Sequence, residues 1–88
     1  MKAVLIYEMG NASMDKIMAV FPRHKALLDP LVEKKEILGV GPFDGGRNGS
    51  MGIFKSREAA EAFVKVDPFV LEGLVGRYHI YEWGDKLI

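Results

Sequence analysis

The chain reads as an α+β fold, with four strands and two helical stretches in the order β-α-β-β-α-β, the strands forming one antiparallel sheet and the helices covering one of its faces. Three observations predict it. Runs rich in Val, Ile and Tyr stand near both ends of the sequence. An apolar stripe of helical spacing follows the first run, and strong turn signals separate two further apolar runs in the middle. At 88 residues the chain is expected to be a single domain over residues 1–88, being too short for two independent cores.

Residues 2–8 (KAVLIYE) form the first predicted strand, ended by Gly10-Asn11. Ala3, Leu5 and Tyr7 share one face and Val4 and Ile6 the other, and a strand apolar on both faces is covered on both sides. Ser13 is the expected N-cap of a helix, with Asp15 in the first turn, where a negative charge suits the helix dipole. Ile17, Phe21, His24, Leu28 and Leu31 then fall on one stripe at spacings of four and three. Pro22 and Pro30 interrupt this stretch. Pro22 is read as the first residue of a restarted turn and Pro30 as a bend, so the expectation is helix, bend and helix, ending near Lys34-Lys35.

Residues 36–42 (EILGVGP) and 50–55 (SMGIFK) read as strands flanking the loop 44–49 (DGGRNG), whose Asp-Gly and Asn-Gly pairs predict an antiparallel hairpin. Ser56 caps a second helix over 57–65 (REAAEAFVK), which presents Ala59, Ala60, Phe63 and Val64 for packing. Asp67-Pro68 has the form of an N-cap followed by proline at N1, opening a short turn through Leu71. Residues 77–83 (RYHIYEW) are the last strand. This is the ferredoxin-like order. With both helices on one face, the other face keeps its apolar residues, so a homodimer through the sheet faces is expected, or a higher oligomer built on it.

Composition removes several functions. Lys+Arg and Asp+Glu balance at 12 each, so no bulk field draws nucleic acid or an anionic membrane. Without cysteine there is no disulfide, thiolate catalysis or cysteine-held metal. The opening MKAVLIYEMG turns charged at Glu8, too soon for a signal peptide, and no stretch approaches the ~20 apolar residues of a membrane span. A cytoplasmic protein is expected.

The acid–base inventory is short. His24 is the odd residue on its apolar stripe, read either as a satisfied structural residue or as a general acid or base, since imidazole titrates near neutral pH. Asp67 is explained by capping alone, but its second oxygen is free to orient an imidazole, fix its tautomer and raise its basicity. His79 alternates with Arg77, Tyr81 and Trp83 and is read as a sheet or interface residue. Two histidines without a clustered carboxylate motif make a poor ligand set, so no metal site is expected. The glycine-rich segment 39–49 lacks Gly-Lys-Ser/Thr and GxGxxG, so it reads as a hairpin with a flexible loop and not as a phosphate loop; the alternative for the glycines of the second strand is a close backbone approach or a cavity wall. No basic–aromatic motif for RNA accompanies the outer strands.

Three segments carry a resemblance: FPRHKALLDPL around His24, Gly41-Pro42-Phe43 after the second strand, and SREAAEAFVKVDPFVLEGLV through Asp67-Pro68-Phe69 to Gly73. Together they resemble the YCII-related family over almost the whole chain. The resemblance implies a ferredoxin-like fold of the dimeric α/β-barrel type, and a pocket where His24 and Asp67 meet as the catalytic pair. It also implies small-molecule chemistry without a metal or organic cofactor. The most concrete activity it implies is a lyase reaction of aromatic degradation, loss of HCl from a chlorinated hydroxyquinol. Gly41, Pro42, Phe43, Phe69 and Arg77 are the expected substrate contacts, with Trp83 a further wall. Many relatives carry an arginine three residues before the histidine, where this chain has Phe21; Arg23 is rotated off the His24 face, leaving Arg77 or Arg47 to replace it. Two readings remain open: the acid–base enzyme, and a non-catalytic ligand-binding or partner-binding module in which the pair is structural. A third, weaker one is a cofactor-free isomerase or monooxygenase of the same topology.

Overall fold

The computed structural model describes residues 1–46 and 48–86; Arg47 lies outside the described residues. Four strands, β1 (Lys2–Met9), β2 (Ile37–Pro42), β3 (Ser50–Phe54) and β4 (Val75–Trp83), form one antiparallel sheet in the order β2-β3-β1-β4. Helix α1 (Met14–Glu33) connects β1 to β2, and α2 (Arg57–Val64) and the short α3 (Pro68–Leu71) connect β3 to β4. The fold is ferredoxin-like α+β, as its element order predicts.

Alternation along β1 decides the layering. Ala3, Leu5 and Tyr7 are buried beneath the helices, with Phe54 of β3 and Ile37 of β2 continuing the Ala3 row. Val20, Ala60, Phe63, Val64, Phe69 and Leu74 complete the core from above. Val4, Ile6, Ile53, Tyr81 and Trp83 take the opposite parity and lie on the open face.

Helix α1 corrects one expectation. It is a single helix of 20 residues, not two joined at a bend. Pro22 and Pro30 both lie on its exposed side. There the carbonyls of Met18 and Ala26, deprived of their i+4 donors, can turn to water without a buried penalty. The expected stripe is also wider than its five residues, because Val20 is the most deeply buried residue of α1. The caps are where local rules place them: the Ser13 hydroxyl accepts from the Lys16 amide and the Ser56 hydroxyl from the Ala59 amide, each at 3.2 Å.

Gly49 fixes the hairpin against β1. Its φ is +84°, and a Cβ there would stand 2.0 Å from the Tyr7 carbonyl oxygen, so the backbones touch where a side chain has no room. That close approach sets β3 so that Ser50 lies directly across from Tyr7, with Pro42 of β2 next in the row.

Candidate functional site

The site is built around the turn between α2 and α3. Asp67 leaves α2 with an extended backbone, and Pro68 at the first helical position starts α3 at once. Asp67 Oδ1 accepts from the Phe69 amide at 3.1 Å, the expected cap. That cap is only one of three bonds. Oδ1 also lies 2.7 Å from His24 Nδ1, and the Tyr7 hydroxyl donates to Oδ2 at 2.6 Å. Three donors and no acceptor surround the group, which are the surroundings of a carboxylate. It has no exposure at all. A buried carboxylate lacking such partners would be strongly destabilising, and here each oxygen is satisfied.

The two residues that the sequence pairs are therefore in contact across 43 positions of chain. Because the carboxylate can only accept, Nδ1 of neutral His24 carries the ring proton and Nε2 carries the lone pair. Phe69 stacks on the imidazole at 4.0 Å and 6°, and Phe63 meets it edge-on at 6.1 Å, so the ring is held in one plane. Nε2 has no hydrogen-bond partner among the described residues, and no side-chain nitrogen or oxygen there is both buried and unpaired. Nε2 is therefore reachable by solvent, and His24 lines a cavity of about 460 Å³.

That cavity lies between α1 and the helix-facing rows of β1, β3 and β2. Gly52 lies in its floor between Leu5 and Val40 in one cross-strand row, and the Phe54 ring comes within 3.1 Å of where its Cβ would stand. Among the described lining residues, the polar side chains besides His24 are Tyr7, already engaged by Asp67, and Ser50. No Asp, Glu, Lys or Arg is among the described lining residues. Burial and the hydrogen bond to Asp67 push the Tyr7 phenol far above its ordinary range, which keeps it a donor to the carboxylate.

Of the expected substrate contacts, Gly41, Pro42 and Phe69 line the cavity. Phe43 does not; it lies past the end of β2, where its amide closes the hairpin onto the Gly49 carbonyl at 2.8 Å. Nor does Arg77, which pairs in register with Glu8 on the open face, one residue out of phase with the cavity side. Trp83 shares that open face. Arg23 is engaged elsewhere: with Lys16 it holds Glu72 at the end of α3, and the guanidinium lowers that carboxyl from its usual range. This clasp ties α3, which carries Phe69, to α1, which carries His24. His79 bonds Glu8 through Nε2 at 2.8 Å and stacks on Tyr81, on the open face. Among the described residues no three His, Asp or Glu side chains gather as a metal cluster, and no helix is long and apolar enough to cross a membrane.

Sequence reasoning missed Tyr7 and Ser50. The available signal was a polar-tipped aromatic and a serine on strands facing each other, but no sequence rule shows that Tyr7 points inward while its neighbours Ile6 and Glu8 do not.

The YCII-related domain model matches residues 1–84. The chain belongs to the YCII-related family. A solved structure similar to it is 5-chloro-2-hydroxyhydroquinone dehydrochlorinase (TftG) from Burkholderia phenoliruptrix AC1100, in complex with 2,5-dihydroxybenzoquinone, with a TM-score of 0.80 and 25% identity over 98% of this chain and 96% of that one. No curated protein matches.

A test of the buried network follows. Tyr7→Phe removes the donor to Asp67 Oδ2 and strands half of a buried carboxylate, so it is expected to cost about 1–3 kcal/mol in denaturant unfolding. Its size depends on pH. A folded-state pKa raised above the unfolded value near 10 makes stability fall as pH rises past about 10, because only the unfolded chain loses the proton. Above that pH the gap between the variant and the native protein is expected to narrow. A gap that stays constant from neutral to alkaline pH contradicts the assignment.

Proposed function

We propose that this protein is a small acid–base enzyme that moves protons on an aromatic or enol substrate held in the α1–sheet cavity. The observation that carries the reading is the polarity of His24: Nδ1 is anchored to a buried carboxylate, which leaves Nε2 unpaired among the described residues on a ring that lines the cavity. Asp67 holds the tautomer that leaves Nε2 basic and stabilises the imidazolium that forms when it takes a proton. Tyr7 acts through Asp67 as a positioning residue.

The most concrete version is loss of HCl from a chlorinated hydroxyquinol, supported by the likeness to a dehydrochlorinase. Nε2 takes a phenolic proton and returns it to the chlorine-bearing carbon, giving a keto tautomer. A second deprotonation at oxygen then expels chloride, which leaves with the electron pair of the C–Cl bond. One proton and one chloride depart, and the ring passes to the quinone level without an external oxidant. A single base serves each transfer, which suits a site whose described lining residues offer one imidazole beside the Tyr7 phenol already held on Asp67.

We further propose that the protein pairs with a copy of itself through the open sheet face. An antiparallel sheet with one wet face normally carries polar residues there, whereas this one carries Val4, Ile6, Ile53, Tyr81 and Trp83. Glu8 and Arg77 put both signs of charge on the face, so it can meet its own image across a twofold axis.

For the reaction, His24→Ala and Asp67→Asn are expected to lower turnover of chlorinated hydroxyquinols by about a hundred- to ten-thousandfold, the usual contribution of a positioned base. Turnover equal to the native rate in both variants removes the His24–Asp67 mechanism, and no turnover by the native protein removes dehydrochlorination and favours the binding-module reading, in which Asp67→Asn costs stability alone. For assembly, light scattering is expected to give twice 9.8 kDa, falling to a folded monomer in Ile53→Glu and in Tyr81→Lys. A native monomer contradicts the pairing.

A further inference from the structure

The wall of the cavity on α1 extends beyond the space a small ring needs. Met14, Met18 and Phe21 follow one another at spacings of four and three, so they form one stripe on the helix. All three line the cavity, yet they are 61%, 61% and 42% exposed. They are the rim, and the rim is apolar. Large apolar side chains left this open in a row mark a surface that something covers. Flexible thioethers suit a ligand of variable shape.

Size points the same way. At ~30 Å³ for each water-sized group, 460 Å³ holds roughly fifteen of them. A ring with three or four small substituents has about ten heavy atoms and leaves the outer part unfilled. Charge narrows the class further. The described lining residues include no Asp, Glu, Lys or Arg, so they offer a carboxylate or sulfonate on the substrate no fixed counter-charge in exchange for its hydration. The two cations of α1 nearest the rim, Lys16 and Arg23, are held on Glu72.

We propose that the substrate is an uncharged phenolic or enolic ring bearing an extended apolar substituent, with the ring at His24 Nε2 and the substituent along Met14, Met18 and Phe21. This rests on the acid–base site for the ring's position, but the preference for an apolar tail is read by binding alone.

The test is equilibrium binding of three probes, resorcinol, hexylresorcinol and 2,4-dihydroxybenzoate, to the native protein and to His24→Ala, with turnover measured separately. Hexylresorcinol is expected to bind at least about tenfold tighter than resorcinol, as partial burial of a six-carbon chain predicts, and the benzoate weaker than resorcinol. Met18→Gln and Phe21→Gln are expected to narrow the hexyl preference. A preference near one, one that both variants leave intact, or a benzoate that binds tighter than resorcinol overturns the proposal. His24→Ala is expected to keep the preference. An absence of turnover with the preference intact would instead count against the enzyme reading alone.

Discussion

A fully buried carboxylate organises this molecule. Asp67 has no access to water, and its three donors come from three separate elements: the phenol of β1, the imidazole of α1 and the first free amide of α3. Removing any of them would leave charge unpaired in a low-dielectric interior, so the network fixes how these elements sit on one another. The consequence for chemistry is direct. A group that must be satisfied for the fold to stand also dictates which nitrogen of His24 is protonated, so the stability of the core and the polarity of the site share one cause.

The surrounding packing converts that polarity into a usable geometry. Phe69 and Phe63 immobilise the ring, the Lys16–Glu72–Arg23 clasp holds the α3 end against α1, and Gly52 lets the Phe54 ring lie close over β3 at the cavity floor. Each device is small. Together they hold an imidazole with one fixed tautomer in the wall of an apolar cavity.

What the sequence showed and concealed follows from the range of each rule. The caps at Ser13, Ser56 and Asp67 were legible because capping involves residues two or three apart. The hairpin followed from Asp-Gly and Asn-Gly. The His24–Asp67 contact came from the family resemblance, since no local pattern reaches across 43 residues. Tyr7 was hidden because β1 is apolar on both faces, which leaves its parity undecided. Arg77 was misplaced for the same reason on β4, where one step along the strand separates the cavity side from the open face. The prolines of α1 suggested a bend, since sequence does not say that both face water. The glycines of β2 were read as a close backbone approach or a cavity wall; Gly41 lines the cavity, and so does Gly52 on the neighbouring strand, which the reading did not single out.

The central claim is that Asp67 makes His24 present a lone pair at Nε2. Nitrogen-15 NMR of the imidazole at a pH where it is neutral tests this most directly, with His79→Gln removing the other histidine signal. The account predicts that the ring proton resides on Nδ1, and that Asp67→Asn abolishes this preference. A ring protonated on Nε2 in the native protein would contradict it, because the cavity would then face a donor with no lone pair to offer.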